Sequence, residues 1–381
     1  MINISKLYCG LAGQSDYLRY KPNNAFGPVV VYNSTLLCNL KCLHCYSSSD
    51  SNLHNNQLNT DQAKRLLSQL AEANCPVILF SGGEPLMRDD LFELLNEAKS
   101  IPIRTVISTN GTLIDSHTAD KLAEAGVSYV GISLDGQEDF HDKFRVSKGC
   151  FKAAINGIQN CKNAGIKTGL RFTITNENYK QVPAIFDIAA ANSVRRICFY
   201  HLIRTGRAKK LQNFNPTPLQ TRQTIDTIIE KTRDFVKKSL IDEVLTVGNH
   251  ADGPYLLTRM LKEKYKNYEK ARQLLLINGV NKIGEKIASI SSNGSVHPDQ
   301  FWHNYSLGNI KEKSFAQIWQ NPKDPVLAAL RNKTEFADKR CLTCKWFDLC
   351  KGNYRFLTPK PATEKWLNEP TCYLSDHEIT N

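Results

Sequence analysis

Six short apolar runs, each followed by an amphipathic stretch, constrain the fold of this chain more than any other feature. They open with Val29-Val30-Val31-Tyr32 and Val77-Ile78-Leu79-Phe80 and continue at 104–109, 129–134, 167–174 and 196–201. Runs of this length bounded by turn residues read as buried strands. Helix patterns fill the gaps at 60–73, 90–99, 116–125, 150–164 and 179–192. In the first of these, Thr60 is the expected N-cap, and Ala63, Leu66, Leu67 and Leu70 share one face. Gly126 and Gly165 stop two of the others. Such alternation predicts a parallel sheet with right-handed crossovers. Six units predict a partial (β/α)6 TIM-type barrel over 28–215, with its chemistry at the C-terminal strand ends.

Residues 1–27 read as an extension, a short helix or arm packed on the barrel, with Asp16 to Tyr20 as its second half. Residues 216–285 read as a helical bridging region. It holds a helix at 216–239, capped by Thr217 or Thr221, and a lysine-rich helical pair at 256–276. Short strands follow between 279 and 294, and 286–381 is expected to form a small second domain.

Cysteines mark two places on this frame. Cys38, Cys42 and Cys45 follow the first strand with the spacing C-x3-C-x2-C, and His44 lies between the last two. Thiolates suit zinc, copper(I) or iron–sulfur clusters. A closed site wants four protein ligands. Three thiols fit either a cubane with one open iron or a zinc knuckle with a distant fourth ligand. Cys341, Cys344 and Cys350 repeat the theme as C-x2-C-x5-C, and Cys372 completes a set of four. That set fits structural zinc or a second cluster. The other cysteines (Cys9, Cys75, Cys150, Cys161, Cys198) are scattered and read as small buried hydrophobes.

A net charge of +12, from 49 basic and 37 acidic residues, suits an anionic partner. The lysines are spread along helices, and no nucleic-acid-binding pattern is present, so a polycarboxylate or phosphorylated small molecule fits better than nucleic acid. No run approaches a membrane span, and Met1 to Lys6 lacks the pattern of a signal peptide, so a cytoplasmic location is expected.

The strand, the cysteine loop, the helix, the next strand and its Ser81-Gly82-Gly83-Glu84-Pro85 loop together resemble the radical S-adenosylmethionine (SAM) superfamily. The resemblance implies a [4Fe–4S] cluster on Cys38, Cys42 and Cys45, with SAM chelating the open iron. It implies SAM contacts from Tyr46, Gly82, Gly83 and Glu84, the last accepting from the SAM ammonium, and from Ser108, Asn110, Ser133 and Arg145. It also implies an electron donor such as flavodoxin or ferredoxin. The C-terminal cysteines, after Leu307-Gly308-Asn309-Ile310 and Ile318-Trp319, resemble SPASM/twitch domains. That implies one auxiliary [4Fe–4S] cluster. The seven-cysteine pattern needed for two is broken, because His297-Pro298-Asp299 stands where a cysteine is expected.

Further phrases resemble the superfamily's tetrapyrrole-modifying branch: Ile4 to Gly10, Tyr200-His201-Leu202, Asn249 to Tyr255 and Val296 to Trp302. The resemblance implies an iron tetrapyrrole substrate bearing acetates and propionates, with removal of two acetates, as in the haem pathway, the expected reaction from the Ile4 to Gly10 phrase, and removal of two propionates, as in haem d1 synthesis, the alternative. His201, Arg204 and Arg207 are the expected carboxylate contacts, since arginine forks pair with carboxylates. His250 and His297 are candidate axial ligands to the substrate iron. A radical SAM peptide maturase and a non-enzymatic metal scaffold are the rival readings. The first usually has a larger N-terminal domain, and the second has no use for a Gly-Gly-Glu loop.

Overall fold

A computed structural model describes the chain except residues 14, 15, 17, 19–26, 53–55, 212, 279, 280, 322, 354–370 and 381. Among these described residues, eleven strands form one sheet. In chain order they are β1 (Ile2–Asn3), β2 (Val29–Thr35), β3 (Val77–Gly82), β4 (Arg104–Thr109), β5 (Tyr129–Ser133), β6 (Thr168–Ile174), β7 (Arg196–His201), β8 (Glu243–Val247), β9 (Ile287–Ile290), β10 (Ser295–His297) and β11 (Gly308–Asn309). The sheet order is β1-β8-β7-β6-β5-β4-β3-β2-β9-β10-β11.

The six expected strands are β2 to β7, and every neighbouring pair among them is parallel. The parallel run extends past both ends. β8 adds beside β7 and β9 beside β2, both in parallel register. Residues 216–285 are therefore not wholly helical, since β8 lies among them. On the far edge, β1 pairs antiparallel with β8. Helix Ile4–Leu7 follows it, and buried Tyr8 stacks on Tyr265 at 4.5 Å. This is the expected short helix on the barrel. Of Asp16 to Tyr20, only Asp16 and Leu18 are among the described residues.

Crossover helices cover the barrel with the expected faces. Helix Thr60–Glu72 buries Ala63, Leu66, Leu67 and Leu70. Its N-cap is Asn59 rather than Thr60, in a capping box with Gln62. Helix Pro218–Lys237 is capped by Thr217 in the same way, with Gln220. Helix Glu138–Arg145, unmarked in the sequence reading, aims Arg145 inward from its last turn. Beyond β9, the antiparallel β10 and β11 lead into helix Phe315–Trp319, capped by Ser314.

The candidate active site

The cysteine loop is held at both ends. At its base, Cys38 N–H donates to the Asp50 carbonyl at 2.6 Å, and Asp50 N–H donates to the Leu36 carbonyl at 3.2 Å. The glycine loop after β3 docks against it: Gly83 N–H reaches the Thr35 carbonyl at 2.7 Å, and Glu84 N–H the Leu37 carbonyl at 2.8 Å. A Cβ on Gly83 would stand 2.2 Å from the Leu37 oxygen, so only glycine allows this approach. From the other side, Arg207 N–H donates to the Cys45 carbonyl at 2.9 Å. Its guanidinium donates to the Cys42 carbonyl at 2.8 Å and the Ser49 carbonyl at 2.5 Å.

A cavity of about 170 Å³ opens at the C-terminal strand ends, lined by Cys38, Cys42, Cys45, Tyr46, Gly82 and Gly83. Ser108, Asn110, Ser133, Arg145, His201 and Arg207 line it too. The predicted cluster and SAM residues, Glu84 apart, thus come together with two of the predicted substrate residues. A deeper cavity of about 810 Å³ runs down the barrel lumen. Leu79, Arg171, Tyr200, Gln300 and Phe301 line both.

Burial pushes the Cys38 thiol up to about 12 and raises that of Cys42 as well. Such thiols hold their protons unless a metal centre supplies compensating positive charge. Among the described residues, no three His, Cys, Asp or Glu groups converge on one metal ion. A cubane asks for a wider set, because each thiolate takes a different iron. Beside the loop, Asp135 pairs with Arg145 at 2.8 Å. Burial works against the Asp135 charge, but Arg145 overrides it and holds the carboxyl below its usual range. Tyr46 donates to Asn33 Oδ1 at 2.8 Å, and burial pushes its phenol up to about 12.

Cys341, Cys344, Cys350 and Cys372 all line a third, smaller pocket with Trp346, Phe347 and Leu374. Burial, then the neighbouring Cys372, raises the Cys350 thiol well above its ordinary value. Four thiols in an apolar pocket suit an iron–sulfur cluster.

Five predicted residues sit differently from expectation. Glu84 is 0% exposed and lies behind the cavity wall. Its carboxylate accepts from Thr109 Oγ1 at 2.7 Å, Asn110 N–H at 2.8 Å and Leu86 N–H at 3.2 Å. It is a strut between the glycine loop and β4, and burial pushes it up to about 7. Arg207 spends its guanidinium on carbonyls of the cysteine loop, so it is not free to fork a substrate carboxylate. Arg204 is exposed and lines neither cavity. His297 has both ring nitrogens engaged, by Ser291 Oγ at 2.8 Å and the Tyr305 carbonyl at 2.7 Å, which leaves none for iron. His250 lines the deep cavity, but its Nδ1 is on the Gly352 carbonyl at 3.0 Å.

Sequence reading missed Arg171, on β6. Its guanidinium donates to Tyr200 Oη at 2.6 Å and to Ser108 Oγ. Period-two alternation marked it, because buried Leu170, Phe172 and Ile174 take the alternate positions and turn Arg171 into the lumen. A Cβ on Gly131 would stand 2.8 Å from Arg171 Cδ, so the neighbouring strand makes room for it. Asp299 was also missed. It lines the deep cavity, is 2% exposed, and its Oδ2 has no hydrogen-bond partner. Burial pushes its carboxyl up to about 7. An acid whose folded pKa is raised is stabilising while protonated, and that stability is lost as pH rises from the unfolded value towards 7. The thermal midpoint of the wild type should therefore fall between pH 4.5 and 7.5, and Asp299→Asn should flatten that slope. Equal slopes in the two proteins would mean that the carboxyl ionises normally.

Comparison with known proteins bears on this arrangement. The radical SAM superfamily profile matches residues 32–189, and an iron-sulfur cluster-binding domain profile, SPASM, matches 282–345. A "Fe-coproporphyrin III synthase" of Methanosarcina barkeri is 46% identical, over 100% of this chain and 99% of its own. The chain belongs to the radical SAM superfamily. A "Pre-heme d1 synthase" of Dinoroseobacter shibae is 36% identical over 92% of this chain and 87% of its own. Among solved structures, Streptococcus suis SuiB bound to S-adenosylmethionine superposes with a TM-score of 0.71 at 19% identity, covering 92% of this chain and 78% of that one. Native anSMEcpe with bound AdoMet and Cp18Cys peptide gives 0.69 at 20% identity, covering 93% of this chain and 96% of that one. Both likenesses show the same fold. As a radical SAM protein with a SPASM domain, the chain uses a [4Fe–4S] cluster that binds SAM, together with auxiliary iron–sulfur.

Proposed function

We propose that this radical SAM enzyme removes the two acetate side chains of didecarboxysirohaem to give iron-coproporphyrin III. The observation that carries the reading is the full-length 46% identity to Fe-coproporphyrin III synthase. The lumen supports it, with a cavity of about 810 Å³ whose wall includes Arg171, Arg196 and Lys282, cations suited to a polycarboxylate. In this reading Cys38, Cys42 and Cys45 hold the first cluster, and Cys341, Cys344, Cys350 and Cys372 hold a single auxiliary [4Fe–4S] cluster. Tyr46, Gly82, Gly83, Ser108, Asn110, Ser133 and Arg145 form the SAM wall. The barrel spans 28–215, and the auxiliary domain begins near 286. The enzyme works in the cytoplasm with a flavodoxin or ferredoxin as electron donor, and binds neither nucleic acid nor membrane.

Bound there, the cluster and SAM supply a 5′-deoxyadenosyl radical able to take hydrogen from an unactivated carbon. In the substrate, each reduced ring has a carbon bearing methyl and acetate beside one bearing hydrogen and propionate. Loss of that hydrogen leaves a ring radical, and β-scission of the bond to the acetate methylene restores ring conjugation. The chain's part is to position the ring carbon and exclude water. Arg171, its guanidinium held by Tyr200 and Ser108, contributes positive charge where the two cavities meet.

Two acetates need two abstractions, so about two 5′-deoxyadenosines should form per tetrapyrrole product. Substrate deuterated at the two propionate-bearing ring carbons should pass deuterium into 5′-deoxyadenosine. Label arriving only from the acetate methylenes would overturn the mechanism. A product that keeps its acetates and loses propionates would place the chain with its pre-heme d1 relative instead.

A further inference from the structure

At the end of β7, His201 faces the smaller cavity. Its Nε2 is 2.9 Å from Asp252 Oδ2. Asp252 is 0% exposed and begins helix Asp252–Lys262. Its second oxygen, Oδ1, accepts from Tyr373 Oη at 2.8 Å. A carboxylate fixed from both sides holds the imidazole in one orientation, as second-sphere carboxylates do for catalytic histidines. No described residue hydrogen-bonds the ring's other nitrogen, Nδ1, and it is not among the buried unpartnered atoms. It is therefore the nitrogen open to the cavity.

The proposed reaction creates a need for such a group. β-Scission releases a carboxymethyl radical, which becomes acetate only by gaining one electron and one proton. The arginines on the same cavity do not compete for this role. The guanidinium groups of Arg145, Arg171 and Arg207 do not release protons.

We propose that His201 is the proton donor that completes each acetate release, and that Asp252 is its positioning residue. This rests on the acetate-removing reading above. The carboxymethyl radical takes one electron from a low-potential one-electron donor of the iron–sulfur or flavin class. It takes the proton of the imidazolium Nδ1, which forms the third C–H bond of the acetate methyl group. The ring is left neutral with its remaining proton on Nε2, donated to Asp252, and regains the other from solvent.

The test is turnover in D2O with analysis of the released two-carbon fragment. The wild type should release acetate carrying one deuterium in its methyl group. His201→Ala and Asp252→Asn should keep their iron content, and are compared with the wild type at saturating SAM and tetrapyrrole. Each should form 5′-deoxyadenosine but release at least tenfold less acetate per 5′-deoxyadenosine. The use of two variants guards against one that fails to fold. Undeuterated acetate from the wild type would show that hydrogen returns from 5′-deoxyadenosine, and would overturn the proposal. So would unchanged coupling in both variants, or loss of coupling in Asp299→Asn alone, which would move the role to the deep cavity. Release of a three-carbon fragment would instead overturn the acetate reading itself, a separate result.

Discussion

Anaerobically reconstituted protein should carry about eight irons per chain, four for each of two cubanes, and the triple Cys38, Cys42, Cys45→Ala variant about half. That variant should make no 5′-deoxyadenosine at all. The reason lies in the ligand count: three thiolates leave one iron open to SAM, whereas four close a cluster. A variant lacking Cys341, Cys344, Cys350 and Cys372 should also keep about half its iron, but should still cleave SAM under reductant. The pair separates the two sites by chemistry and not merely by metal content. Continued 5′-deoxyadenosine formation in the triple variant would mean that the catalytic cluster has been assigned to the wrong cysteines. Zinc in place of iron at the C-terminal set would restore the structural-metal reading for that domain.

Replacing Glu84 should cost stability before it costs SAM affinity. The carboxylate pairs with Thr109 Oγ1 and Asn110 N–H in buried hydrogen bonds and with Leu86 N–H in a part-buried one. A buried donor left unpaired costs about 1–3 kcal/mol, so Glu84→Ala should lose about 3–5 kcal/mol after partial relaxation. That is a large share of the stability of a typical domain. Glu84→Gln, which keeps one acceptor oxygen, should lose less. Denaturant unfolding of the cluster-free protein measures this directly, and calorimetry with the reconstituted protein measures SAM binding. An unchanged unfolding midpoint with weakened SAM binding would return the carboxylate to the SAM ammonium.

The barrel was legible because strand and helix periods are local signals. Each of β3 to β7 sits within two residues of its apolar run, and β2 continues three residues past its own. β8 escaped notice because Glu243–Val247 is short and lies between two helices, and only its parallel register with β7 shows what it is. The cluster cysteines were legible for the same reason as the strands, since their spacing is a property of a few adjacent residues. Arginine roles were not. Arg207 looked like a carboxylate fork, but its partners, the Cys42 and Ser49 carbonyls, lie 165 and 158 residues upstream. Asp252 likewise meets His201 across 51 residues and Tyr373 across 121, so nothing in the sequence announces that trio. His297 carried a suggestive phrase, yet its ring proved to be fully occupied by Ser291 and Tyr305.

The pairing of β9 with β2 sets a limit on modularity. Val29 to Tyr32 register in parallel with Ile287 to Ile290, so the strand that leads into the cysteine loop is flanked by β3 on one side and by the C-terminal domain on the other. The two halves share backbone hydrogen bonds and not just a side-chain interface. A barrel expressed without residues beyond 282 would expose the β2 edge, and an unpaired edge beside apolar residues invites aggregation. Chimaeras that graft a foreign auxiliary domain onto this barrel would have to supply a matching parallel strand, in register, before any question of electron transfer arises.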